Sequence, residues 1–132
     1  MARYATAFAH PEATYRSIDL AGRTGGEDSA GLVALLYVEA SRALRSAAWA
    51  AEHGRYDIKS ERVTRGLAIL FALESGLDFD KGGDLSRTLA RVYQGARREI
   101  VDASLGYDPA PFIAVATTLD EIGGAWEAAR RA

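Results

Sequence analysis

Along residues 32–126 apolar side chains return at steps of three and four, and glycine, proline and aspartate break that rhythm between the runs. A repeat of this kind places the apolar positions on one face of an α-helix. The first run is Leu32, Leu35, Leu36, Ala40, Ala43, Leu44, Ala47 and Ala51, with Asp28 or Ser29 placed to cap its free amides and Gly54 to end it. Its many alanines predict close approach of a neighbouring helix. The second run opens at Asp57, read as the cap, and carries Ile58, Val63, Leu67, Leu70, Leu73 and Leu77, with Ile69 and Phe71 widening the face. A face that wide meets more than one neighbour.

Asp78 to Gly83 reads as a turn, and Asp84 sets a negative charge at the positive end of a third helix. Its stripe is Leu85, Leu89, Val92, Tyr93, Ala96, Ile100 and Ala103, and Gly106 stops it. Asp108 followed by Pro109 starts a fourth helix, since proline at the first helical position gives up an amide that has no partner anyway. Phe112, Val115, Leu119, Ile122 and Trp126 follow. Gly123-Gly124 interrupts this last pattern, so its final turns are expected to be weakly held, with Trp126 as their anchor. Short connections make consecutive helices antiparallel neighbours. The expected fold is all-α: an antiparallel up-down-up-down four-helix bundle over residues 29–132. Residues 1–28 form an N-terminal arm with room for a short extra helix. Pro11, Gly22, Gly25 and Gly26 punctuate that arm, and Tyr4/Phe8, Tyr15/Ile18 and Leu20 are apolar islands able to dock.

The chain has 132 residues, enough for one self-sufficient core, and its 48% apolar and 26% charged content is that of a folded globule. A net charge of -2 argues against a nucleic-acid partner. Cysteine is absent, which removes disulfides, thiol catalysis and thiolate metal sites. The start of the chain lacks a secretory apolar stretch, and the most apolar window, Leu67 to Leu73, falls far short of the ~20 residues a membrane span needs. A soluble cytoplasmic protein without membrane insertion is expected.

Little in the chain is equipped for chemistry. Asp78, Asp80 and Asp84 with Gly83 mimic the start of a calcium loop, but Leu89 stands where the bidentate glutamate is required. A di-metal centre inside a bundle needs two Glu-x-x-His pairs, and the only histidines, His10 and His53, do not follow that spacing. Gly82-Gly83 lacks the spacing of a phosphate loop, and no serine is placed for activation by histidine. Glu39, Glu74 and Glu99 read as solvated or arginine-paired. No metal, no cofactor and no enzymatic activity are expected. Trp126 completes the fourth stripe and belongs to the core. Trp49 lies off its stripe and is expected to be partly exposed. Tyr37 and Tyr93 adjoin their stripes, with rings packed and hydroxyls near water.

Taken in order, several landmarks resemble the flagellin-specific export chaperone family, FliS. They are Tyr15-Arg16-Ser17-Ile18-Asp19-Leu20, then Leu32 to Leu36-Tyr37, then Gly54-Arg55-Tyr56-Asp57. Leu73 and Leu77-Asp78 follow, with the turn Gly82-Gly83-Asp84-Leu85, then Leu89 and Tyr93 at the Leu-x-x-x-Tyr spacing, and Ala125-Trp126 near the end. Val38-Glu39 replaces the family's usual Asp-Gly, Gly26-Glu27-Asp28-Ser29 its usual helix start, and Ser104 an asparagine, as in a divergent member. The resemblance implies a chaperone that binds the C-terminal region of flagellin in the cytoplasm, prevents early polymerisation and delivers it to the flagellar export apparatus. The implied partner-binding residues are Tyr15, Ile18, Leu20, Leu36, Tyr37, Leu73, Leu77, Leu89 and Tyr93. The broad face of the second helix and the Leu89/Tyr93 edge of the third would make a groove, with the arm as its shield, on a monomer. A structural or regulatory helical module that homodimerises through the same apolar groove is the alternative.

Overall fold

A computed structural model of the chain describes residues 14–15 and 29–131. Four helices account for nearly all of them: α1 (Ser29–Glu52), α2 (Tyr56–Ser75), α3 (Phe79–Ser104) and α4 (Ala110–Arg131). The first two apolar runs become α1 and α2, separated by Gly54 in the left-handed conformation (φ 66). Residues of the expected arm other than Thr14 and Tyr15, including Ile18 and Leu20, lie outside the described residues. Among the described residues no helix is long and apolar enough to cross a membrane.

Helix α1 is the centre of the packing, with its most extensive contacts to α2 and α4, while α3 and α4 meet least among the four principal pairs. Small residues make that possible. Ala40, Ala43, Ala47, Ala50 and Ala51 are buried on α1. A methyl group at Gly66 of α2 would lie 2.9 Å from Leu44 Cδ2, and one at Gly123 of α4 would lie 3.0 Å from Tyr37 Cβ. Gly123 therefore sits where backbone must come close. Helix α4 continues through Gly123-Gly124 to Arg131. The Trp126 indole N–H donates to the Ala30 carbonyl at 2.8 Å and ties the end of α4 to the start of α1.

Two helix starts differ from expectation. Asp57 does not cap α2: the N-cap is Arg55, with no side-chain hydrogen bond, and Asp57 lies inside the first turn, where its charge still suits the helix dipole. Helix α3 does not wait for Asp84. Asp78 is its cap, with its carboxylate accepting from the Lys81 amide at 2.9 Å, and the turn Phe79–Gly82 is helical. Gly83 (φ 54, ψ −127) then kinks the chain before the long straight part begins. Asp108 performs as read, accepting from the Ala110 amide at 2.9 Å to start α4.

Candidate partner-binding site

Toward one end of the bundle the core holds a cluster of aromatic side chains. There α1 supplies Tyr37, α3 supplies Tyr93 and α4 supplies Trp126, all buried. Tyr15 fills the slot between them and is fully buried itself. Its ring meets Trp126 edge-on, with centroids 5.4 Å apart at 89°, and the Tyr37 and Tyr93 rings lie 6.4 Å apart, tilted. The three phenols join through their hydroxyls: Tyr93 shares hydrogen bonds with both Tyr15 and Tyr37. The sequence placed the hydroxyls of Tyr37 and Tyr93 near water. The structure instead turns them inward, because each finds a buried partner that the sequence could not reveal. Burial raises the Tyr15 hydroxyl well above its ordinary pKa, and the neighbouring Tyr37 and Tyr93 phenols add to the rise. Tyr15 is thus a neutral donor and acceptor at physiological pH.

The backbone of the arm is seated by the α2–α3 turn. The Asp78 amide donates to the Thr14 carbonyl at 2.6 Å, and the Ser86 hydroxyl donates to the Asp78 carbonyl at 2.9 Å. Gly82 lines this seat. A methyl group there would be 3.2 Å from Thr14 Cα and would collide with the Ser86 hydroxyl. Capping Asp78, the Gly83 kink and bare Gly82 together shape a turn that receives the Thr14 backbone.

Of the residues expected to bind a partner, Tyr37, Leu73, Leu77, Leu89 and Tyr93 are packed in the core beside Tyr15, and Leu36 is half-buried. Leu73, Leu77, Leu89 and Tyr93, expected to line a groove, are each buried within the core cluster. Open grooves lie elsewhere. One of about 720 Å³ runs between α2 and α3, lined by Leu67, Phe71 and Val101 and edged by Arg97 and Arg98. Phe71 is 62% exposed there, and the Arg97 guanidinium lies 5.7 Å from its ring centre. Arg97 is held by an ion pair with Glu74, which also accepts from Gln94 at 2.7 Å. Burial pushes the Glu74 carboxyl up, but those two hydrogen bonds and the Arg97 charge outweigh it, leaving the group below its usual 4.5. A second groove, of about 330 Å³ between α1 and α4, exposes Leu35 and Val38. The periodicity assigns Leu35 to the inward stripe, whereas it is half-exposed here, and no periodic signal marks Val38 or Val101 as apolar surface. Only Phe71 was legible, as a widening of the α2 face.

The opposite end of the bundle is built differently. Buried Lys59 donates to the carbonyls of Ser104 (3.0 Å) and Gly106 (2.9 Å), closing the end of α3. Tyr56 and Tyr107 flank its ammonium group at 5.5 and 5.8 Å, and both rings are largely exposed. Trp49 is 48% exposed, as its position off the stripe implied, and stacks on His53.

The chain is 26% identical over 113 residues to the flagellar secretion chaperone FliS of Vibrio cholerae, spanning 86% of this chain and 83% of that protein. It is 30% identical over 97 residues to the flagellar secretion chaperone FliS of Salmonella typhimurium, covering 73% and 72% of the two chains. The profile of the flagellar protein FliS family matches residues 12–132, a stretch that begins just before Thr14 and Tyr15 and takes in all four helices. A helical bundle with this order of landmarks, matched over nearly its whole length, belongs to the FliS family of flagellar proteins.

Proposed function

We propose that this chain is a cytoplasmic flagellar secretion chaperone. On this reading it holds the disordered C-terminal region of flagellin, keeps it from polymerising early and delivers it to the flagellar export apparatus. The observation that carries the reading is the slot between α1, α3 and α4, filled not by a bundle residue but by Tyr15 from the arm. A plug from a separate segment is replaceable. When it leaves, Tyr37, Tyr93 and Trp126 become a binding surface, and only the fraction of molecules with the slot open can bind. Helix segments of an unfolded client then have the shallow grooves on α2/α3 and α1/α4 for their apolar faces, in the manner of helix-in-groove recognition. Such a task requires apolar surface and no chemical step.

The test is calorimetric titration of the full-length protein with the flagellin C-terminal segment of the same organism, alongside Tyr15→Ala. The wild type is expected to form a one-to-one complex from a monomer, read by light scattering. Tyr15→Ala is expected to bind about tenfold more tightly, because the competing plug is weakened. Tyr93→Ala is a poorer probe, since truncating a fully buried aromatic costs stability as well as binding. A wild-type protein indifferent to the segment at high micromolar concentration would sink the reading.

A further inference from the structure

We propose that the slot filled by Tyr15 selects its occupant by chemistry. It accepts a flat apolar side chain that ends in a neutral hydrogen-bonding group, and it turns away both a pure hydrocarbon and a carboxylate. This rests on the reading that a client residue takes the place of the arm.

Three observations define the selection. The body of the slot is aromatic and geometrically specific: Trp126 presents a ring face or edge at right angles to the occupant, 5.4 Å away. That arrangement rewards a planar ring over a branched aliphatic chain. The far end of the slot is polar, because Tyr93 offers its hydroxyl to Tyr15 while also bonding Tyr37. An incoming group must replace the hydrogen bond that Tyr15 makes. One that cannot leaves that part of a buried network unmade, and the penalty for a lost buried hydrogen bond exceeds the modest gain from forming one. Finally, among the described residues no buried cation adjoins the slot. The buried charged residue among those described is Lys59, and its ammonium group is engaged with Ser104 and Gly106 at the other end of the bundle. A carboxylate entering the slot would be desolvated without a counter-charge. The client residue that enters is therefore a tyrosine within an otherwise apolar segment.

The slot can be interrogated without any client. In full-length protein carrying Trp49→Phe, Trp126 is the sole tryptophan and its emission reports on the slot. In that background Tyr15→Ala vacates the position, and three probes supply the missing side chain or its altered forms: 4-methylphenol, toluene and 4-methylbenzoate. Saturable binding of 4-methylphenol is expected, about tenfold tighter than toluene, as for one buried neutral hydrogen bond. No binding of 4-methylbenzoate is expected at the same concentrations. Adding Tyr93→Phe, which removes one oxygen and keeps the ring, is expected to erase the preference. Should Tyr93→Phe alter the resting emission of Trp126, Tyr15→Phe in the Trp49→Phe chain gives the same comparison from the arm's side. Its docking is then expected to weaken about tenfold with the ring retained.

The inference is overturned by toluene binding as well as 4-methylphenol, by a preference that survives Tyr93→Phe, or by the absence of binding by every probe. Titrating the same variants with the flagellin segment keeps the two ideas apart. Probe selectivity without flagellin binding removes the chaperone reading and leaves the slot's chemistry standing. Flagellin binding without probe selectivity removes this inference alone.

Discussion

The two ends of the bundle solve one problem with opposite chemistry. At each end tyrosine rings and a buried polar group seal the core from water. At the arm end, Tyr15, Tyr37 and Tyr93 point their hydroxyls inward and hydrogen-bond to one another. At the other, Tyr56 and Tyr107 leave their rings exposed around Lys59, whose charge is spent on the final carbonyls of α3. The difference lies in which part of the chain makes the seal. Lys59 belongs to α2 and is fixed by the bundle itself, so its seal is permanent. Tyr15 lies outside the four helices and is held by its hydroxyl bond to Tyr93, its ring contact with Trp126 and the Asp78 amide on the neighbouring Thr14 carbonyl, and on the proposed function its seal is the one that can be exchanged.

The largest effect is expected from Trp126→Ala. It removes the wall of the slot, the hydrogen bond to Ala30 and a fully buried aromatic, and should lower the unfolding free energy by about 3–5 kcal/mol. Urea denaturation followed by circular dichroism measures it, and an unchanged midpoint would remove Trp126 from the core. Next comes Lys59→Met, which keeps most of the volume but frees the carbonyls of Ser104 and Gly106. A loss of about 2 kcal/mol is expected, as for buried hydrogen bonds to a charged group. Trp126 emission should stay as it was, because the arm end is untouched. A coupled change there would mean that the two seals are not independent.

Gly82→Ala addresses the seat of Thr14. The new methyl group presses on Thr14 and on the Ser86 hydroxyl, a loss that the roughly 1 kcal/mol preference of alanine over glycine in a helix offsets only in part. In the Trp49→Phe background the expected result is red-shifted Trp126 emission with a modestly lowered denaturation midpoint. Unshifted emission would show that Ser86 and the turn yield instead.

The smallest effect is set by pH. Burial, aided by Tyr37 and Tyr93, holds the docked Tyr15 hydroxyl above its ordinary 10.0, whereas an undocked Tyr15 ionises near that value. Docking is therefore at full strength below pH 10 and weakens as pH rises above it, since ionisation then favours the released arm. Trp126 emission against pH should record this release, and Tyr15→Phe should flatten the part due to Tyr15. Retention of the docked signal well above pH 10 would argue that the hydroxyl is not tied into the cluster.

Much of the fold was written in local pattern. The period of three and four set α1 to α4, and Asp108-Pro109 marked the start of α4 because capping and the missing proline amide are properties of neighbours in sequence. The order of landmarks carried the family resemblance for the same reason, being a one-dimensional signal. Asp57 misled because aspartate is favourable both as a cap and within the first turn, and only the backbone angles at Arg55 separate the two. The early start of α3 was hidden by Gly82-Gly83, which reads as a turn. Its backbone does turn at Gly83, but with a helical turn already formed in front of it.

The site was legible as a set of residues and illegible as an arrangement. Tyr15, Tyr37, Leu89 and Tyr93 could be singled out, yet an apolar stripe looks the same whether it lines an open groove or buries itself against a neighbour. The sequence by itself determined four amphipathic helices, their order and the family they resemble, since helix formation and capping depend on residues a few positions apart. Tertiary structure alone decided that Tyr15 and Tyr93, separated by 78 residues, and Tyr37 and Tyr93, separated by 56, share their hydroxyls. It also decided that Leu73, Leu77, Leu89 and Tyr93 are buried and that apolar surface lies at Phe71, Leu35 and Val38. The reason is that burial and hydrogen-bond pairing are settled between helices: which face of α2 meets α3, and which segment fills the end of the core, depend on packing that no run of neighbouring residues encodes.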